Sequence, residues 1–166
     1  MGRITFEEYA SFIKQNQERA YRLAYGYLRE REDALDAVQA AVERGLRRLD
    51  SLHDMEKLRP WFTRILVNEC LDALRRRKRR GTESLSETAE LAAPGGPEAR
   101  PEVLAAYEAI GRLPPKLKTV VMLRFFEDMK LSEIAESTGC TLSTAKARLY
   151  KALSLLRLEL EEDEEG

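Results

Sequence analysis

Two cysteines and one histidine in 166 residues leave little from which to build a metal site or a covalent catalyst. Cys70 and Cys140 stand alone, with no CxxC pair and no neighbouring His, which excludes a zinc-finger spacing and a disulfide framework. Both read as small core residues in a reducing compartment. His53 has no Ser or Cys in evident register, so His-dependent nucleophilic catalysis lacks a partner and the residue reads as surface. No apolar run approaches the roughly 20 residues that span a bilayer, and the N-terminus lacks the basic-then-apolar order of a signal peptide. A cytoplasmic protein without direct membrane insertion is expected. Nor is there a Gly-rich nucleotide loop, a metal-ligand cluster or a nucleophile-base pair. No enzyme, cofactor, metal or catalytic residue is expected.

The formal net charge of -1 conceals segregation. Six acidic residues (Glu159, Glu161, Glu162, Asp163, Glu164, Glu165) lie in the last eight positions, and without them the remainder carries +5. For a polyanionic partner the segregation matters more than the sum. The acidic end reads either as a solvated tail or as a DNA mimic that discourages premature binding.

No stretch alternates in the manner of a half-buried strand, while almost every segment has helical periodicity, so the fold class is all-α. From Thr5 to Leu28 the positions Phe6, Tyr9, Phe12, Ile13, Ala20, Leu23, Ala24 and Tyr27 recur at three- and four-residue steps. Asp33 to Leu49 repeats the theme with Ala34, Ala37, Val38, Ala41, Val42 and Leu46. After a loop from Asp50 to Lys57, Pro60 suits the first turn of a third helix running through Trp61, Ile65, Leu66, Cys70, Leu71 and Leu74, with Trp61 and Ile65 packing the core, and ending in the run Arg75 to Arg80.

Residues 81–101 turn to Thr, Ser, Glu, Ala, Pro and Gly, with Pro94-Gly95-Gly96-Pro97 unable to continue a helix. They form the expected linker between a first domain at 1–80 and a second at 102–160, followed by an acidic tail at 161–166. About twenty residues reach at most about 70 Å when extended and average about 25 Å as a coil. With their own widths, two small helical modules so tethered touch DNA sites two turns, about 70 Å, apart.

The second domain is interrupted at Leu113-Pro114-Pro115 and near Asp128, and then reads LSEIAESTGCTLSTAKARLYKAL from Leu131 to Leu153. Ser132 is a plausible N-cap with Glu133 in the first turn, and the first short helix buries Leu131, Ile134 and Ala135. Gly139 closes it in the left-handed conformation, and the next helix starts about three residues later with Thr141 or Ser143 as cap. There Leu142, Ala145, Leu149 and Leu153 fall on one face as core, while Ser143, Thr144, Lys146, Ala147, Tyr150 and Lys151 fall on the others. This is the pattern of a DNA-reading helix-turn-helix, although any three-helix bundle also needs tight turns and amphipathic helices.

Taken together, these residues resemble the extracytoplasmic-function (group IV) sigma factors, minimal RNA polymerase sigma factors that keep regions 2 and 4. The resemblance covers nearly the whole chain. It rests on Asp33-Ala34-Leu35-Asp36-Ala37-Val38-Gln39, on Pro60-Trp61-Phe62-Thr63-Arg64-Ile65-Leu66-Val67-Asn68 leading to Asp72-Ala73-Leu74-Arg75-Arg76-Arg77, and on Leu113-Pro114-Pro115, Leu123-Arg124 and the helix-turn-helix, in that order.

The resemblance implies that Asp33, Asp36 and Gln39 are exposed residues that dock on the clamp helices of the polymerase's largest subunit. The bland reading is that the two aspartates decorate a helix start, where the macrodipole favours negative charge. It implies that Arg64, Asn68, Arg75 and Arg76 meet the promoter's -10 element as it opens, since Asn can read a base edge and a flipped base needs a pocket plus a polar reader. The Asp50 to Lys57 loop would supply that pocket, with Leu52 where many relatives carry an aromatic, so that pocket shape and hydrogen bonds carry more of the selection. The run Arg75 to Arg80 reads as a phosphate grip or as a solvated helix end.

In region 4 the resemblance puts Ser143, Thr144, Lys146, Tyr150 and Lys151 in the major groove of the -35 element, with Arg124 and Arg148 on phosphates. Lysines donate to guanine acceptors less selectively than bidentate arginines. Leu117, Val120, Val121, Leu123, Phe125 and Phe126 offer apolar surface beyond a small core's needs, and in the family part of it holds the flap tip of the second-largest subunit.

The expected protein is thus a promoter-specificity subunit with core RNA polymerase, promoter DNA and an anti-sigma factor as partners. Control by a separate partner is expected because no further C-terminal domain is evident. The alternative is a stand-alone helix-turn-helix regulator with an N-terminal sensing or dimerisation module, and polymerase-dependent DNA binding separates the two.

Overall fold

The computed structural model describes residues 3–80 and 101–165, with side chains over 3–80 and 105–157. The chain divides into two compact units, Met1–Ala92 and Ala93–Gly166. Every long element among the described residues is a helix and none is a strand. The segment expected as a linker lies outside the described residues except for Pro101.

In the first unit α1 (Phe6–Leu28) opens on a capping box. The Thr5 N–H donates 2.9 Å to Glu8 Oε1, and the Glu8 N–H donates 3.1 Å back to Thr5 Oγ1, so two end donors are satisfied reciprocally. The helix stops at Arg29, left-handed at φ 54, whose N–H donates 2.7 Å to the Tyr25 carbonyl. A non-glycine residue there costs about 1–2 kcal/mol; the Arg29 guanidinium lies 5.9 Å over the Tyr25 ring and partly offsets it. The next residue, Glu30, already caps α2 (Arg31–Arg48), accepting from the Glu32 and Asp33 N–H groups at 2.7 and 3.1 Å.

Helix α2 buries a stripe of small residues, Ala34, Ala37, Ala41 and Gly45, which lets it approach α1 and α3 closely. The third helix, α3 (Leu58–Arg80), sends Leu58, Phe62, Ile65, Leu66 and Cys70 into the core. Phe62 meets Tyr9 and Phe12 edge-on, with ring centroids at 6.5 and 5.7 Å. Trp61, expected in the core, is only half-buried, because its neighbour Phe62 takes the inward position and one residue turns the side chain about 100° around a helix. Leu46, likewise expected inside, is 43% exposed, since Gly45 takes the inward position beside it.

The second unit holds α4 (Pro101–Gly111), α5 (Pro115–Phe125), α6 (Leu131–Thr138) and α7 (Leu142–Glu165). Pro101, expected in the linker, is the first residue of α4, a position where a missing N–H costs nothing. The core comprises Tyr107, Ile110, Leu113, Leu117, Val120 to Leu123, Met129, Ile134, Ala145, Leu149 and Ala152. Helix α6 begins at Leu131 rather than after a Ser132 cap, because the Glu133 carboxylate reaches back 2.9 Å to the Lys130 N–H. Gly139 ends α6 at φ 69 as expected, and Thr141 caps α7 by accepting from the Thr144 N–H at 3.1 Å.

Two apolar residues of α7 depart from expectation. Leu142 is 53% exposed and Leu153 is 37% exposed, while Ala152 is fully buried. The inward stripe runs Ala145, Leu149, Ala152, so Leu142, the first residue of α7, and Leu153, one residue off the seam, stay outside. Helix α7 continues through Glu165, so the expected acidic tail is helical up to that residue, and its side chains lie outside the described residues. Its glutamates are good helix formers.

Candidate nucleic-acid interface

Inward packing of Phe62, Ile65, Leu66 and Cys70 turns the opposite side of α3 outward. Arg64, Asn68, Arg75 and Arg79 are all exposed, at steps of four, seven and four residues, and so form one stripe. Fifteen residues at 1.5 Å per residue give the stripe a length of about 22 Å, which is about six nucleotides of one strand at 3.4 Å each. Arg75 is ion-paired with Asp72 one turn before it, and Arg76 is exposed beside it.

The loop before α3 is closed by 3-10 turns at Leu49–Ser51 and Met55–Lys57. Leu52, expected to line a base pocket there, is 8% exposed: its side chain belongs to the core and its N–H donates 3.1 Å to the Leu49 carbonyl. Met55 is instead the large apolar side chain that this loop leaves in solvent, 49% exposed. Sequence reading missed it because a lone Met between polar residues carries no periodicity.

Asp36 and Gln39 stand exposed on α2, the latter donating 3.1 Å to Glu43 one turn on. Asp33 does not stand free. Its Oδ2 accepts from Arg77 Nη2 at 2.6 Å, and Arg77 Nη1 also donates 3.0 Å to the Leu28 carbonyl at the end of α1. The Arg77 side chain is 15% exposed and that of Asp33 46%. Arg77, read as part of a six-cation grip, is therefore withdrawn from that run. With Asp33 half in water the pair contributes about 1 kcal/mol or less to stability; its consequence is geometric. A cleft of about 470 Å³ lies here, with Glu30, Asp33 and Asp36 along one side and Arg76, Arg77 and Arg80 along the other. A second tie between α2 and α3, Arg44 to Glu69 at 2.9 Å, has its carboxylate 10% exposed.

In the second unit the outer side of α7 carries Ser143, Lys146, Tyr150 and Lys151, all exposed, with Tyr150 at 61%. Thr144 and Arg148 are half-buried, and Thr144 Oγ1 accepts from the Thr141 hydroxyl at 3.0 Å. Leu142 shares this outer side, at one turn from Lys146, and was missed because apolar residues at helical spacing are read as core. Arg124 is exposed but braced, donating 3.0 Å to the Met129 carbonyl across the turn in which Asp128 is left-handed at φ 53. Of the apolar set expected to exceed core needs, Leu117, Val120, Val121 and Leu123 are buried and Phe126 stacks on Tyr107 at 5.4 Å; Phe125 alone of the set is exposed, at 57%. Four of the six are consumed by the unit's own core, into which α5 sends residues from more than one face.

Among the described residues no group of His, Cys, Asp and Glu is arranged to hold a metal ion, and no helix is long and apolar enough to cross a membrane.

Residues 12–80 match the family described as Sigma-70 region 2, and residues 104–156 match Sigma-70, region 4. The chain is 38% identical to the RNA polymerase sigma factor SigV of Bacillus subtilis, over 92% of this chain and 90% of that protein. It is 28% identical to the ECF RNA polymerase sigma factor SigW of the same organism, over 93% of this chain and 89% of that protein. In fold it is similar to the sigma factor RpoE crystallised with the anti-sigma factor NepR from Bartonella quintana, with a TM-score of 0.73 at 20% identity, covering 91% of this chain and 97% of that one. A three-helix unit with a polar stripe, a helix-turn-helix unit, and relatives that match both along nearly their whole length lead to one conclusion: the chain belongs to the extracytoplasmic-function sigma factors and directs transcription initiation.

Proposed function

We propose that the two units divide promoter recognition between them. In this reading residues 1–80 act as region 2: Asp33, Asp36 and Gln39 dock on the clamp helices of core RNA polymerase, and the α3 stripe of Arg64, Asn68 and Arg75, with Arg76, follows one strand of the -10 element as it opens. Met55, rather than Leu52, supplies the apolar surface of the loop against a flipped base, and Leu52 forms its floor. Residues 102–160 act as region 4, with Ser143, Thr144, Lys146 and Tyr150 in the -35 major groove, Lys151 at its edge beside the backbone, and Arg124 and Arg148 on phosphates. Phe125 is then the exposed anchor for the flap tip, and residues 81–100 are the tether between the units.

The observation that carries this reading is the α3 stripe. A helix whose inward side is mainly apolar, with Thr63 and Glu69 the buried polar exceptions, carries three cations and one amide on its outward side, and that combination suits a single strand: the cations meet phosphates and the amide reads a base edge. The chain supplies no bond-making chemistry in this scheme; catalysis belongs to the polymerase, in the cytoplasm. The solved relative bound to its anti-sigma factor supports an anti-sigma factor as the controlling partner here too.

Size-exclusion co-elution with bacterial core polymerase, followed by transcription from promoter fragments, tests the reading. Stoichiometric binding with new start sites is expected. A shifted duplex with the protein alone, and no co-elution, would favour the stand-alone regulator and void the docking assignments.

A further inference from the structure

Arg77 sits third in a run of six cations, yet it alone of the run is tucked inward and bound to two groups of other helices. It holds the carbonyl that ends α1 and the carboxylate in the first turn of α2, so one guanidinium pins the α1–α2 junction to the far end of α3. Arginine's planar fork suits this, since its two terminal nitrogens point to two acceptors at once, which a lysine ammonium on a flexible stem does less rigidly.

We infer that Arg77 is a positioning residue for polymerase docking and not a DNA contact. The inference rests on the proposed role of Asp33. Arg77 takes Oδ2 of Asp33 while that side chain stays 46% exposed, so it fixes the carboxylate's orientation while leaving it open to a cation on the polymerase. The same guanidinium fixes the start of α2, and with it Asp36 one turn on. The run therefore serves two surfaces: Arg75 and Arg79 lie on the outward stripe, while Arg77 faces the docking helix from a cleft that Arg76 and Arg80 also line.

The test uses the full chain, bacterial core polymerase and a promoter fragment, at a temperature where circular dichroism shows every variant folded. Arg77→Gln is expected to weaken core binding about three- to ten-fold while the slope of log K against log salt for holoenzyme on promoter stays at the wild-type value. Arg79→Ala, on the outward stripe and away from the cleft, is the positive control for phosphate contact and lowers that slope by about 0.7, the single-strand value. The decisive readout is a double-mutant cycle on core affinity: the effect of Arg77→Gln disappears in the Asp33→Ala background if Arg77 acts through Asp33, and Arg77→Lys restores part of it in the wild-type background. Additive losses, which a merely structural role would give, overturn the inference, as does a reduced salt slope with core affinity unchanged. Asp33→Ala that binds core as tightly as wild type removes the docking role of Asp33 itself, and a wild-type chain that does not bind core removes the proposed function. Those two results are distinct from a failure confined to Arg77.

Discussion

The Tyr9 hydroxyl lies 2.3 Å from the point where a Cβ on Gly45 would stand, and from there it donates 2.8 Å to the Val42 carbonyl. Gly45 is thus the place where the α1 ring rests on the α2 backbone. Gly45→Ala gains about 1 kcal/mol of helix propensity, but it forces a ring that is 2% exposed off its hydrogen bond, an overpacking cost of about 1–3 kcal/mol. A net loss of about 1 kcal/mol is expected in urea unfolding of the first unit. The double variant with Tyr9→Phe should be more stable than the sum of the two single changes, because the overlapping atom is gone. Strict additivity, or a stabilising Gly45→Ala, would contradict the packing.

Burial also pushes the Tyr9 phenol up from 10.0 to about 12. A folded-state value above the unfolded one means that the contribution is fully present below about pH 10 and is lost as pH rises toward 12. The stability difference between wild type and Tyr9→Phe should therefore be constant through neutral pH and narrow above about pH 10. A difference that stays flat there would mean that the phenol ionises as freely in the fold as outside it.

The helices, the glycine stop and the Thr141 cap were legible in the sequence because each is set by local chemistry. Periodicity marks a buried face, a left-handed residue marks an end, and a hydroxyl marks a start. What could not be read were choices that depend on a second helix. Arg77 is a cation like the other five residues of its run, and only the distance to Leu28 and Asp33 turns it inward. Leu142 satisfies the core period of α7, yet it stands 53% exposed while Ala145 in the same turn is fully buried. Leu117, Val120, Val121 and Leu123 read as surplus, and the core of the second unit absorbs them. Whether Leu52 or Met55 faces outward was decided by two 3-10 turns with no signature in composition. The exposure of the candidate residues on regular helix faces, Arg64, Asn68, Lys146 and Tyr150, was legible for the complementary reason: exposure on a helix follows once the buried face is known.

Asn68 is the one uncharged member of the α3 stripe, exposed one turn beyond Arg64. A good amide-to-base contact is worth about 1–3 kcal/mol of discrimination, whereas core binding is assigned to α2. Asn68→Ala should slow open-complex formation about ten-fold or more, read by permanganate reactivity of unpaired thymines, while core affinity stays within about two-fold. Equal loss of both would move Asn68 from strand reading to a structural role.

Lys146 and Lys151 are exposed on the outer side of α7. A lysine on phosphate and a lysine on a base edge differ in what their removal does: the first weakens all sequences alike and lowers the salt slope by about 0.9, the second also flattens the preference at one position. Lys146 lies one turn beyond Leu142, near the N-terminal end of α7, the end that contacts base edges when a recognition helix enters the groove. Lys151 lies more than a turn further along, where the helix leaves the groove and passes the backbone. Lys151→Ala should therefore lower the slope for holoenzyme on a -35 fragment with sequence preference unchanged, while Lys146→Ala should lower affinity and relax the preference at one base pair. Binding measured at several salt concentrations on a small set of single-base variants separates the two. If both lysines leave the slope untouched, α7 does not meet DNA through this side.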